Sequence, residues 1–243
     1  MAEHALLVEQ PADWRAGFPA LTVVSARDYL AGGPDWSARR RLHLVTLCRG
    51  YRYLSVGYYC SLLAEARGHR VLPGVETIQE LSSRGLYGHA LDAFEVPLRR
   101  LPQRTGSATD GLSLMVLFGQ CAEPDLQPAF QHLARRAFET FRCPLLEIQL
   151  RHSGGWRVTG IRALTLDRLP AAQEPAFVAA LEGYLSRPWR RPRARQAFRY
   201  DLAVLHDPDE ALAPSSPRAL RRFQQAGRAL GLNVELITRK DYG

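Results

Sequence analysis

The chain has 243 residues, of which 46% are hydrophobic and 23% charged, with a formal net charge of +8 and a pI near 9.7. That length suits one large or two small domains with a real core, and the composition is that of an ordinary globular protein, which excludes collagen-like and disordered classes. The apolar run Leu114 to Phe118 is strand-sized, and no run approaches the ~20 residues of a membrane span. The amino-terminal stretch MAEHALLVEQ lacks a basic region and a long apolar segment, so a cytoplasmic protein without membrane attachment is expected. Cys48, Cys60, Cys121 and Cys143 form no CxxC pair and no metal-ligand spacing with the histidines, which predicts reduced structural thiols and no structural zinc.

In chain order, Ala5 to Val8 and Leu21 to Ser25 read as short strands, and ARDYLAGG closes that opening unit. Residues 42–72 carry the clearest pattern: a strand over Leu42–Leu47, a polar break, an amphipathic helix and a second strand over Arg70–Leu72. Strand, helix and strand in about thirty residues is the parallel βαβ unit. The periodicity predicts that Tyr59, Leu62, Leu63 and Ala66 bury one face of the helix, with Ser55 as its N-cap and Gly68 just past its end.

The break, Cys48-Arg49-Gly50-Tyr51-Arg52-Tyr53, is the candidate site. A turn leaving the carboxyl end of a parallel strand and entering a helix is where ligands usually sit in open α/β sheets. Arg49 and Arg52 offer guanidinium forks, Tyr51, Tyr53 and Ser55 offer hydroxyls, and the helix dipole favours negative charge, so an anionic substrate is the predicted ligand. The competing reading pairs both arginines with nearby carboxylates or water and packs the tyrosines as core.

Further on, Val75 to Arg84 predicts a helix, Leu112 to Phe118 a strand buried on both faces, and Asp125 to Phe141 the longest helix, with Leu126, Phe130, Leu133, Ala137 and Phe141 on one stripe. Leu145–Arg151 and Trp156–Leu164 alternate around His152-Ser153-Gly154-Gly155 and form an antiparallel hairpin. Glu174 to Ser186 is a last helix. The fold class is therefore α/β: parallel βαβ units with an antiparallel hairpin as an α+β tail, followed by an incomplete second βαβ unit.

Most of the net charge is local. Residues 187–199 hold six arginines and no acid, while 200–243 are neutral, so the basicity marks one run, RPWRRPRARQAFR. Pro188 and Pro192 make it an extended linker over about 187–198. A phosphate-tracking arm with Trp189 for stacking is the alternative, which would make the chain a stand-alone binding module for nucleic acid or an acidic peptide through Arg187 to Arg199. Beyond it, Tyr200–Leu205, Pro217–Leu230 and Val234–Thr238 form the second βαβ unit, with Leu220, Phe223, Ala226 and Leu230 predicted inward. About 45 residues is near the lower limit for independent folding, and the open strand edge offers a route to a homodimer.

VVSARDYL (23–30), LCRGYRYLSVGYYCSLLAEARGH (47–69), VETIQEL (75–81), YDLAVLHDPDEALAPSSPRALRRF (200–223) and VELITRKDYG (234–243) resemble the N-terminal region of long RimK-like ATP-grasp ligases. The resemblance implies an accessory domain over 1–186, the linker, and from about 199 the start of a pre-ATP-grasp domain. It also implies ATP-dependent amide formation by the whole ligase, in which a carboxylate is phosphorylated and an amine displaces the phosphate. The catalytic lobes, in cis or on another chain, would carry ATP and magnesium. This sequence has no GxxxxGK[ST] loop, GxSxG elbow or HExxH, and its only lysine is Lys240, so no catalytic residue and no cofactor are expected within it. The substrate class would be an anionic amino acid or peptide.

Overall fold

The computed structural model describes residues 3–15, 21–32, 36, 39, 42–82, 91, 93–102, 111–186, 200–207, 210 and 215–238. Chain contacts divide it into two compact units, Met1–Pro192 and Arg193–Gly243. The arginine- and proline-rich run read as a linker or nucleic-acid arm, 187–199, lies outside the described residues.

The first sheet of unit 1 is wholly parallel, in the order β2-β1-β3-β4, from β1 (His4–Val8), β2 (Val23–Ser25), β3 (His43–Thr46) and β4 (Arg70–Leu72). Register pairs Leu6 with Val23 on one side of β1 and with Val45 on the other. The chain steps outward from β1 to β2 and then returns past β1 to β3, so the order reverses between β1 and β3. Helices α1 (Ala26–Ala31) and α2 (Val56–Ala66) follow the two steps taken in one direction, and both cover the same face, as right-handed crossovers require. Tyr29, Cys60 and Ala64 pack there on Ala5, Leu7 and Leu44. The buried Tyr29 hydroxyl donates to Nδ1 of His69 at 2.8 Å; the other ring nitrogen lies 3.0 Å from the Arg39 carbonyl, which can only accept, so Nε2 carries the proton.

The buried face of α2 differs from the sequence reading. Gly57, Tyr58, Cys60, Ser61 and Ala64 point inward, while Tyr59, Leu62 and Ala66 are exposed and Leu63 is half-buried. The reason is the short distance between helix and sheet. A Cβ on Gly57 would collide with the Gly50 carbonyl oxygen and stand 3.1 Å from Cβ of Cys48 and 3.2 Å from the Tyr51 ring. Small residues let the helix axis approach, and the large apolar side chains that dominate the periodicity are then turned outward. The helix ends as expected, with Gly68 at φ +73° and the His69 amide donating to the Ala64 carbonyl.

The second sheet is antiparallel, in the order β6-β5-β7-β8, from β5 (Gly111–Leu117), β6 (Gln120–Cys121), β7 (Leu145–His152) and β8 (Trp156–Ala163). The expected hairpin is β7–β8, with Gly154 and Gly155 both at positive φ in its turn. The strand over 112–118 adds to it antiparallel rather than standing in a parallel sheet, and only its carboxyl half is covered on both faces. Leu114 and Val116 meet Phe130, Leu133 and Ala137 of α5 (Gln127–Phe141), which follows the short helices α3 (Val75–Glu80) and α4 (Glu95–Arg99) along the chain. Leu117, Leu145 and Leu164 meet Leu6, Val45 and Leu72 of the parallel sheet, with Phe177 and Leu181 of α6 (Glu174–Leu185) completing that core. The helix expected over 75–84 is shorter, Val75–Glu80: Leu81 caps it, its amide donating to the Thr77 carbonyl, and Leu81 and Ser82 already form a turn, while 83–90 lie outside the described residues.

Unit 2 is a parallel pair, β9 (Tyr200–Leu205) with β10 (Leu232–Ile237), joined through α7 (Pro217–Ala229). Here too the inward set changes: Leu220, Gly227 and Val234 are buried, whereas Phe223, Ala226 and Leu230 are exposed. Gly227 lies directly on the Val234 side chain, which again rotates the helix toward its small residues.

Two outcomes test this packing. Gly57→Ala should destabilise the chain by about 3 kcal/mol or more in urea unfolding, because backbone and not a flexible side chain blocks the added methyl. The second concerns His43, buried at the start of β3, T-shaped against His4, with its Nε2 accepting from Arg70 at 3.2 Å. Burial, then the His4 and Arg70 charges, lower its pKa to about 4 from 6.5. The unfolded chain therefore binds the extra proton first, and the stability His43 contributes is present above pH 6.5 and lost as pH falls toward 4. Thermal melts should show that loss in the native chain and a shallower one in His43→Gln.

Candidate functional site

The parallel sheet places its ligand-prone crevice by topology, outside the carboxyl ends of β1 and β3, where the strand order reverses. The loop after β1 supplies Glu9, Gln10 and Asp13, and the turn after β3 supplies Arg49 to Ser55. Parallel pairing of Leu7 with Thr46 brings the two loops side by side.

Arg49 joins them. Its amide donates to Glu9 Oε1 at 3.0 Å, its Nε donates to Asp13 Oδ1 at 3.1 Å, and a terminal guanidinium nitrogen pairs with the same carboxylate oxygen. The Arg49 side chain is half exposed, Asp13 is largely covered, and the hydrogen bond to Asp13 raises the arginine's pKa further. Asp13 is itself fixed by the Gln10 amide, which donates to Oδ2 at 3.1 Å.

Tyr51 goes the other way, into the core. Its hydroxyl donates to the Thr46 carbonyl at 2.6 Å, and its ring packs with Tyr58 and Ile78. Burial first, then nearby Cys143 and Cys48, raise its pKa well above the usual phenol value, so it is a neutral donor. Ser55 caps α2 as predicted: its Oγ accepts from the Tyr58 amide at 3.3 Å and donates to the Gly50 carbonyl at 3.0 Å. Between them Leu54 adopts φ +62°, a left-handed conformation uncommon for a residue with a Cβ, held by the Ser55 amide donating to the Arg52 carbonyl. Arg52, Tyr53 and Leu54 project outward, and the exposed Tyr53 ring stands edge-on to Tyr58 at 5.2 Å between centroids.

The five predicted site residues thus separate. Arg49 and Ser55 close the turn, Tyr51 lies beneath it, and Arg52 and Tyr53 face solvent. Glu9 and Asp13 were missed by the sequence reading. Nothing in their local sequence marks them; only the position of β1 beside β3 brings them to Arg49. Cys48, two residues past the end of β3, is buried, and a hydrogen bond with Cys60, then burial and the nearby Cys60, Glu9 and Asp13, push its thiol pKa up and keep it protonated. Cys121 and Cys143 are also buried and free, each pushed up to about 12 by burial. Among the described residues no three His, Cys, Asp or Glu side chains gather as a metal site, and no helix is long and apolar enough to cross a membrane.

Residues 26–180, nearly two thirds of the chain, match the family described as the RimK-like ATP-grasp N-terminal domain. The chain belongs to that family. No curated protein matches the chain. The matched span of the RimK-like N-terminal domain runs from α1 into α6, so it contains the Arg49 turn, α2 and the whole antiparallel sheet. The loop bearing Glu9 and Asp13 precedes it.

The two layers of the turn differ in how they should respond to substitution. Tyr51→Phe removes a buried hydrogen bond and should cost about 1–2 kcal/mol in urea unfolding, independent of salt. Asp13→Asn should cost less, and its cost should shrink as sodium chloride rises from about 0.05 to about 1 M, because the partner guanidinium is half exposed and screened.

Proposed function

We propose that this chain is the accessory N-terminal region of an ATP-dependent carboxylate–amine ligase of the RimK-like ATP-grasp type, and that it supports the catalytic lobes without performing chemistry itself. The observation that carries this reading is the closed state of the turn at the strand-order reversal. The Arg49 fork and amide, which would hold an anionic substrate, are engaged by Asp13 and Glu9 of the same chain. Family membership supplies the ligase context.

The chain's own donors do not fit ATP and magnesium. Phosphoryl chemistry needs a lysine and a glycine-rich amide cradle over the phosphates, with carboxylates reserved for the metal. The loop after β1 instead sets Asp13 on the Arg49 guanidinium and Glu9 on its amide, and the sequence holds a single lysine, Lys240. ATP and magnesium therefore belong to the ATP-grasp lobes, in cis or on a separate chain, and unit 2 is the opening of the pre-ATP-grasp domain that leads to them. The setting is the cytoplasm. A second reading, an anionic amino-acid or peptide substrate held at the turn, draws on Arg52 and Tyr53, which face solvent beside the capped start of α2.

Calorimetry of the 243-residue chain with ATP and magnesium should give no binding heat; a micromolar affinity would overturn the non-catalytic assignment. Thermal melts with phosphate and with glutamate separate the two roles. An unchanged melting temperature in the native chain favours support alone, whereas a ligand-dependent rise that disappears in Arg49→Gln/Arg52→Gln favours the substrate reading.

A further inference from the structure

Helix α2 has one charged side chain, Glu65, in its eleven residues. A helix on the surface of a globular protein normally turns a charged face to water, and a helix apolar on all sides is a buried one. Its inner side is closed by Gly57, Cys60, Ser61 and Ala64. Its outer side carries Val56, Tyr59 and Leu62 at successive three-residue steps, 39%, 43% and 43% exposed, and Tyr53 and Leu54 extend the patch at the amino end, at 65% and 56%. A contiguous apolar patch of this kind on a described surface marks an interaction site.

We propose that this outer face of α2 is a two-fold interface between two copies of the chain. An isologous contact sets a patch against itself, so a charge at its centre would meet its own copy. Here the centre, Tyr59, is uncharged, and the charges stand at opposite ends with opposite signs: exposed Arg52 before the helix and exposed Glu65 in its last turn. An antiparallel crossing about Tyr59 sets Leu62 beside the partner's Val56 and brings Arg52 to the end of the helix that carries the partner's Glu65. Glu65 is held ready at that end, since its Oε1 accepts from the Val75 amide at 2.8 Å, leaving Oε2 for a cation. Tyr59 and Tyr53 suit the role, being large, amphipathic and poor in rotamer freedom. The face of one short helix is smaller than the ~800 Å² per partner of a standard interface, so the dimer belongs to the weak, micromolar class. The interface does not depend on the ligase assignment and would hold if that assignment failed.

Sedimentation equilibrium of the full 243-residue chain, from about 5 to about 300 µM, tests it at the concentrations such an interface requires. The expected mass at the upper end is twice the 27.2 kDa of one chain. Leu62→Glu and Tyr59→Glu, both at exposed positions and checked by circular dichroism for an intact fold, should each weaken association at least about tenfold. Arg52→Glu and Glu65→Arg should each do the same alone, because each sets like charges together, and an equimolar mixture of those two variants should recover the dimer. A single-chain mass throughout overturns the proposal, and so does a dimer untouched by Leu62→Glu, which would place association on another surface such as the β9 edge. Failure of the mixture to recover overturns the antiparallel register. A single chain whose Tyr59 face becomes protected only on adding ATP-grasp lobes assigns the face to those lobes and overturns the two-copy reading.

Discussion

The approach of α2 to the turn after β3 sets most of what surrounds it. Gly57 leaves no room for a Cβ against Gly50, so the helix lies low on the sheet. That closeness lets Ser55 both cap the helix and bind the Gly50 carbonyl, tying turn and helix into one unit. It also holds the Tyr51 ring beneath the helix start, where its hydroxyl finds the Thr46 carbonyl. The same geometry turns Tyr59 and Leu62 outward. A buried joint and an exposed apolar face are therefore two consequences of one steric constraint.

The two sheets of unit 1 divide the work. The parallel sheet, with α1 and α2 on one face, carries the turn, and its other face packs on the antiparallel sheet and α6. Leu6, Val45 and Leu72 share that inner core with Leu117, Leu145 and Phe177, so the turn sits at the rim of a rigid, continuous interior. Burial of large side chains at this density transmits strain and resists local rearrangement. The base on which Arg49 and Asp13 meet is fixed accordingly.

Strands, helix order and caps were legible because they depend on local chemistry. Ser55, Gly68 and the Gly154-Gly155 turn stand where cap and turn residues place them, and the βαβ alternation over 42–72 was visible in the apolar runs. Burial faces were less legible. In both α2 and α7 the large apolar residues outweigh the small ones in any periodicity, yet Gly57 with Ala64 and Gly227 against Val234 decide which side meets the sheet. The pairing of β5 with β7 was also missed, since a short apolar run reads alike in a parallel sheet and in an antiparallel one covered on both faces at one end.

The candidate site shows the same limit in electrostatic form. A strand-to-helix turn with two arginines and a capped helix start is anion-seeking when considered alone. Its capacity for a ligand is set by what stands across the strand-order reversal, and there β1 delivers Glu9 and Asp13 thirty-six or more residues earlier in the chain. An incoming carboxylate at Arg49 must displace a carboxylate already positioned by the Gln10 amide, and it must do so against two local negative charges. Such a ligand would have to bring a cationic group of its own to answer Glu9, or else bind at Arg52, with which no carboxylate among the described residues of the β1 loop pairs. Charge pairing fixed by strand order, more than the residue content of the turn, thus sets the electrostatics of this edge of the sheet.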